Sequence, residues 1–349
     1  MKFPWANIVI LLLGAAELVT GYLSLTQGTP EWAAALHVHR ILGFGIVALL
    51  FWKARNILAR LLVWRLWKRH WLAYSLSLFL LAALLAALGL GIAWSHLGYF
   101  SFAGISGVSW HIYLSLALAP VLVWHVLRHR YNLQTRYWAE RRNALRLGGL
   151  ALAGLALWQA GELANRLASL PGADRRFTGS YLKGQLAGNG FPATSWLNDS
   201  PEPVEISGWQ LKVTGLVGRP LEISHSDLAG WTESYRTIRA TLDCTGGWHT
   251  TQDWTGLPLS AVLELAEIRP QAASITVRSV TGYFRRFSLE EAEGYLLATA
   301  VGNERLSHWH GFPLRLVATG KRGFEWVKWV DNIEVNDTSK WWQPPLPVT

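Results

Sequence analysis

One cysteine, Cys244, stands in 349 residues. An internal disulfide is therefore impossible, and zinc or iron–sulfur sites built from several thiolates are excluded. Methionine is as scarce, with Met1 alone. Charge is thin too: 16% of residues are Asp, Glu, Lys or Arg, and 23 acidic residues face 32 Lys and Arg, for a formal net charge of +9. Such a basic excess first suggests nucleic acid. Here the basic residues cluster between apolar stretches, a placement that reads as membrane topology instead.

The length suggests two domains. The first half is rich in Leu, Ala and Trp, whereas the second mixes Gly, Pro, Thr, Asp and Glu with short apolar runs. Apolar stretches at about Ile8–Leu25, Leu36–Trp52, Trp71–Trp94, Trp110–Leu127 and Leu145–Leu163 approach the roughly 20 residues that cross a bilayer as helix. Because further spans follow the first, it is expected to be retained rather than cleaved as a signal peptide. Lys53, Arg55, Arg60, Arg65, Lys68 and Arg69 precede the third span, and Arg128, Arg130, Arg136, Arg141, Arg142 and Arg146 follow the fourth. The connection Ser95–Ser109 has no Lys or Arg. The positive-inside rule then places the N-terminus in the cytoplasm and the C-terminal half outside the inner membrane, on the periplasmic or extracellular side. The Arg141-Arg142 pair, followed by a Gly/Ala-rich apolar run, reads either as two more topology signals or as an internal twin-arginine export signal, a route for cargo already folded around its cofactor.

His111 and His125 lie 14 residues apart on the fourth span. That is close to four helical turns, so both face one side, about 21 Å apart along the axis. Ionisable groups inside spans are costly and usually functional. The spacing suits two stacked b-type haems, with His39 and His111 holding an outer iron and His70 and His125 an inner one. His37, His96 and His129 are alternates. In this limited sense the first half resembles a small membrane cytochrome b.

From about Gly190 the pattern changes. "WQLKVTGLV", "SITVRSV", "YLLATAVG", "PLRLVATG" and "VKWVDNIEV" are short β-rich runs, and "PLSAVLELAEI" is one helix, so a mixed α+β domain is expected. Within it a lone cysteine has three fates: a small buried hydrophobe, a nucleophile with His249 as its base, or a thiolate on a soft metal.

The surrounding residues favour the third. "CTGGWHTTQDWTGLPL" from Cys244 resembles the signature of the sulfite oxidase-type molybdopterin domain. "HWHGFPLRLVATGKRGFEWVKWVDNIEV" carries that family's His-Gly-x-Pro-hydrophobic-Arg and Val-Lys-Trp pattern at His310, Gly311, Pro313, Arg315, Val327, Lys328 and Trp329. The segment "GNGFPATSWLNDSPEPVEISGWQLKVTGLVGRPLEISHSDL" looks like the opening of the same domain, and the resemblance spans roughly Phe191–Val335. It implies that Cys244 binds molybdenum, and that His310, Arg315 and Lys328 hold the pterin and its phosphate. Lys321, Arg322, Trp248 and His249 are further cofactor-binding candidates.

The chain also departs from sulfite oxidases. No Arg follows Cys244 until Arg269, and Phe191–Trp196 stands where those enzymes carry Arg-Asn-His. Trp248 is similar to the branch containing the periplasmic methionine sulfoxide reductase, whose catalytic subunit works with a separate haem-bearing membrane subunit.

The expected architecture is a membrane α-helical bundle of about five spans followed by a mixed α+β molybdopterin-binding domain. Residues 1–165 form the haem b domain, 166–189 a linker and 190–349 the oxidoreductase domain. The expected cofactors are Mo-molybdopterin and haem b, in two copies. The expected partners are the lipid bilayer, quinone or quinol, and a small oxygen-atom donor or acceptor, with a homo-oligomer left open and no nucleic acid. The expected reaction is reduction of an S- or N-oxide. Oxidation of sulfite or a related substrate toward quinone, and electron transfer without a substrate of its own, are the alternatives.

Overall fold

The structure is a computed structural model describing residues 5–61, 64–128, 141–196 and 199–347; within these, the side chains of residues 56, 58–61, 64–70, 126 and 128 are not described. It divides into two compact units, Met1–Tyr181 and Leu182–Thr349. The division falls inside the segment expected to be a linker. Pro171–Tyr181 belongs to the helical unit and 182–189 to the other.

The first unit holds α1 (Trp5–Thr26), α2 (Ala33–Leu61), α3 (Trp64–Leu97), α4 (Gly107–Arg128) and α5 (Arg141–Leu167), with a small hairpin of β1 (Ser101–Phe102) and β2 (Ile105–Ser106) before α4. Among the described residues, five helices are long and apolar enough to cross a membrane. Their apolar side chains point largely outward: Leu12, Val19, Leu72, Phe79 and Leu152 are all exposed. Only a minority of each helix is buried, as at Trp5, Ala6, Val9, Leu49 and Leu150. Water disfavours apolar surface on that scale, whereas a bilayer accepts it.

Small residues set the helix contacts. A Cβ on Gly154 of α5 would lie 2.4 Å from the Ile41 carbonyl of α2, so the two backbones touch there, the packing that small residues allow between spans. Helices α2 and α3 are longer than the apolar runs in them, so the basic residues from Lys53 to Arg69 are on helix ends rather than in a loop. The polar residues of this unit find each other: Glu162 accepts from Arg175 Nη2 at 2.9 and 3.1 Å and from Arg40.

The second unit contains two sheets. In the first, β4 (Gln210–Gly215) pairs antiparallel with β5 (Leu221–Ser224) and parallel with β13 (Val330–Asn336). Strand β8 (Ser274–Ser279) lies antiparallel to β13 and to β9 (Phe284–Ser288), giving the order β5-β4-β13-β8-β9. The second sheet is centred on β7 (Trp248–Pro258), flanked by β6 (Arg236–Asp243) and β10 (Leu296–Val301). Strands β11 (Glu304–Arg305) and β12 (Arg315–Val317) pair with β10, and a two-residue β3 (Tyr181–Leu182) also belongs to this sheet. Short helices α6 (His225–Gly230), α7 (Leu259–Leu265) and α8 (Leu289–Glu293) fill the connections. Ser224 and Ser288 cap α6 and α8 with reciprocal side-chain and backbone bonds.

Alternation explains how the second sheet is built. Along β7, Trp248, Thr250, Gln252 and Trp254 are buried while His249, Thr251 and Asp253 are only partly covered, the period of two that a strand imposes. The core gathers Trp254, Trp329, Phe287, Leu257, Leu296 and Leu297, all fully buried.

Candidate active site

Strands β6 and β7 form an antiparallel hairpin whose tip is Cys244–Gly247. Cys244 N donates to Trp248 O at 2.8 Å, and Gly247 N donates to Cys244 O at 3.0 Å. Gly247 takes φ +87°, a conformation that suits glycine and closes the turn. The turn leaves the Cys244 side chain lining a small cavity of about 30 Å³.

A second loop braces the first. Gly323 packs so closely that a Cβ there would sit 3.0 Å from Cys244 Cα. Beside it, Arg322 Nη1 donates to Asp243 Oδ1 at 2.8 Å, with both side chains buried. The Gly246 amide donates to Cys244 Sγ at 3.3 Å. Burial pushes the Cys244 thiol up, while the Gly246 amide, the Arg322 charge and the Thr194 hydroxyl oppose that shift. A bound cation would complete the change to thiolate, since metal binding displaces the proton.

The cavity's cationic wall comes from the His310–Lys328 stretch. Gly311 takes φ +108°, and a Cβ on it would lie 3.1 Å from Lys328 Cβ and 3.2 Å from Arg315 Cβ, so only glycine allows those two chains to flank the turn. Arg315 Nη1 donates to His310 O at 2.9 Å, but its buried Nε has no partner. Lys328 Nζ donates to Ser195 Oγ at 2.8 Å and to Trp309 O at 3.1 Å. His310 Nε2 faces Phe191 O at 3.0 Å and its Nδ1 faces Ser307 Oγ at 2.7 Å. A carbonyl only accepts, so Nε2 carries the proton and Nδ1 receives the serine hydroxyl. Burial lowers Arg315 to about 9. Burial, then the Arg315 charge, brings Lys328 down to about 7. Burial, then Arg315 and Lys328, hold His310 near 4, against the bond to Phe191 O.

Of the residues singled out in the sequence, Cys244, Trp248, His310, Arg315 and Lys328 line this cavity together. Arg322 instead anchors Asp243 beneath the cysteine turn. Lys321 pairs with Glu291 at 2.5 Å and is not in the lining. His249 follows Trp248 on the same strand, so the pleat turns it to the other face, outside the lining. The sequence reading passed over Thr194, which accepts from Trp248 Nε1 at 3.0 Å, and Trp309, which sits at the rim with 55% of its surface exposed. Phe191 packs on His310 at 4.2 Å between ring centroids.

The lining can hold the expected cofactor. A single soft donor, Cys244, would suit a metal. Arg315 and Lys328, one with an unpartnered buried N–H, would suit an anionic pterin phosphate, and no carboxylate lines the cavity among the described residues. The sequence profile of the oxidoreductase molybdopterin-binding domain family matches residues 198–342. The uncharacterized oxidoreductase YuiH of Bacillus subtilis (strain 168) is 30% identical over 141 residues, covering 39% of this chain and 69% of YuiH. The chain belongs to this family of molybdopterin-binding oxidoreductases.

Other family relatives are longer than the matched part. The protein-methionine-sulfoxide reductase catalytic subunit MsrP of Gluconobacter oxydans (strain 621H) is 28% identical over 169 residues, covering 43% of this chain and 52% of MsrP. A nitrate reductase [NADPH] of Mycosarcoma maydis is 28% identical over 178 residues, covering 38% of this chain and 18% of that enzyme.

In the helical unit, His39 of α2 and His111 of α4 meet with ring centroids 6.0 Å apart and planes at 90°. Two imidazoles that each reach one metal at about 2 Å place their centroids at roughly this separation. His111 Nδ1 lies 2.8 Å from Ala87 O and so donates to it, which leaves Nε2 unprotonated. A Cβ on Gly91 would press on the His111 ring at 3.4 Å, and one on Gly21 on the His39 ring at 3.2 Å. His125 lies on α4 in a partly buried position. The side chain of His70 and all of His129 lie outside the described residues. His96 Nδ1 is taken by Asn165 Oδ1 at 2.6 Å, and His37 packs on Trp158.

Proposed function

We propose that the protein is a membrane-bound molybdenum enzyme that reduces a small, uncharged S- or N-oxide, with electrons delivered from quinol through haem b. The observation that carries this reading is the cavity wall around Cys244. Besides Arg315 and Lys328, it carries Phe191, Pro192, Ala193, Thr194, Trp248 and Trp309, three of them aromatic and none charged. Its two cations, Arg315 bonded to His310 O and Lys328 to Ser195 and Trp309, are assigned to the anionic pterin rather than to substrate. A sulfite dianion would call for arginines beside the metal. An uncharged sulfoxide fits an aromatic wall, where sulfur and methyl groups make favourable contacts.

When bound, the molybdenum cofactor supplies two-electron oxygen-atom exchange with the substrate. The chain's own residues do the rest. Cys244 offers the thiolate, and Gly246 holds its sulfur through an N–H bond. Arg315 and Lys328 balance the anionic end of the pterin. His310, neutral at pH 7 and tied at both nitrogens, sets a fixed edge for the ring system. Trp309 covers the mouth. In the helical unit, His39 and His111 would hold the outer haem, and His70 with His125 an inner one. The five helices lie in the inner membrane with the C-terminal unit outside, where substrate arrives.

The test uses the purified full-length chain. Metal and pterin analysis should find molybdenum. A reduced spectrum should show b-type haem. Methionine sulfoxide or an N-oxide should reoxidise that haem faster than nitrate does, and sulfite should fail to reduce it. Reduction of the haem by sulfite would reverse the proposed direction.

A further inference from the structure

Glu17 is the only charged residue of α1, and it lies in the middle of an apolar helix, at a depth where an ionisable group is usually functional. Its carboxylate Oε2 stands 2.5 Å from His39 Nδ1. Its other oxygen, Oε1, is buried and has no hydrogen-bond partner. A Cβ on Gly43 would lie only 3.4 Å from that oxygen, so the neighbouring helix is cut back to make room for the acid. Two further acceptors crowd the same nitrogen, Glu17 O and Thr20 Oγ1, each at 3.2 Å. The Thr20 hydroxyl already donates to Ala16 O at 2.8 Å, so with Glu17 ionised all three face His39 as acceptors. The Nδ1 atom must then carry the proton, and Nε2 is left as the ligand atom. His111 has the same tautomer but a neutral partner, the Ala87 carbonyl. The two imidazoles are thus held unequally, one by a carboxylate and one by a peptide.

We infer that Glu17 is the positioning residue for the outer haem: its carboxylate fixes the His39 ring and would make that imidazole the more electron-rich of the two histidines that would hold the group. The inference rests on the haem reading of His39 and His111. A carboxylate on the far nitrogen of a ligating histidine orients the ring and raises its basicity, and losing such a partner commonly costs 10- to 100-fold in metal affinity. A more basic donor favours ferric over ferrous iron. Glu17 therefore holds the outer haem at a lower potential than a peptide-bonded pair would, which suits a haem that passes electrons onward.

The test compares the full-length wild type with Glu17→Gln and Glu17→Asp, reading haem content by extraction, the haem midpoint potentials by spectroelectrochemistry and the ferric low-spin resonance. Glu17→Gln should keep its haem, shift the resonance of one haem, and raise one potential. A tenfold loss of ferric preference corresponds to about 59 mV for one electron. Glu17→Asp, which restores the charge, should return the potential toward wild type. Haem lost from Glu17→Gln but kept by Glu17→Asp supports the same role. Unchanged potentials in Glu17→Gln, or haem lost equally from both variants, overturn it. A wild-type protein without haem overturns the haem reading itself, a distinct failure that the extraction reports directly.

Discussion

Arg322 and Asp243 form a buried ion pair, Nη1 to Oδ1 at 2.8 Å, that joins the cysteine turn to the loop crossing beneath it. Each side chain is almost fully covered, so neither can lose its partner without leaving a charge in the interior. Arg322→Met or Asp243→Asn alone should cost about 3–5 kcal/mol of stability. The double substitution should cost less than the sum of the two, because it strands no charge. Thermal unfolding of the four proteins provides the cycle. Additive losses would show that the pair does not act as a unit.

His310 gives a pH dependence. Its imidazole is held near 4 by burial and by the Arg315 and Lys328 charges, whereas an unfolded histidine titrates near 6.5. The unfolded chain therefore binds the proton more readily between those values. Stability should rise with pH from about 4 to about 6.5 and be flat above. As pH falls through 6.5 toward 4 the contribution is lost. His310→Gln should flatten this part of the unfolding-versus-pH curve. A curve of unchanged slope in the variant would assign the dependence to other groups.

The contrast between His310 and Lys321 shows where the sequence was legible. The long apolar stretches marked the five helices, and the short β-rich runs marked the strands, because both patterns are local. That His310, Arg315 and Lys328 would share one lining with Cys244 was legible through family spacing. Lys321 and Arg322 were not, since their partners Glu291 and Asp243 lie 30 and 79 residues away in sequence. His249 lies outside that lining for a simpler reason: it follows Trp248 on a strand, and the pleat sends alternate side chains to opposite faces. Thr194 and Trp309 carried no signal of their own, because a rim residue is defined only once the loops have met.

Topology has its own test. Reporter fusions after Arg136, which lies outside the described residues, and after Arg175 should report opposite sides of the membrane. If Arg141-Arg142 acts as an export signal, changing both to Lys should strand the C-terminal unit inside while the earlier helices still insert. Normal export of that variant would reduce the pair to a topology signal.

His111→Ala and His125→Ala should each remove part of the reduced b-type spectrum. They are about 21 Å apart along α4 by helical rise, too far to share one iron. Complete loss of haem from either variant, or no loss from both, contradicts the two-haem arrangement.

The measurement closest to the central claim is the molybdenum resonance and turnover of Cys244→Ser beside the wild type. Serine offers a harder, more basic oxygen donor and cannot replace a thiolate on a soft metal site. The variant should fold, keep its haem and retain pterin through Arg315, Lys328 and His310, yet show an altered molybdenum signal and lose nearly all substrate-dependent haem oxidation. A serine variant with an unchanged molybdenum signal and near-normal turnover would contradict Cys244 as the metal's ligand.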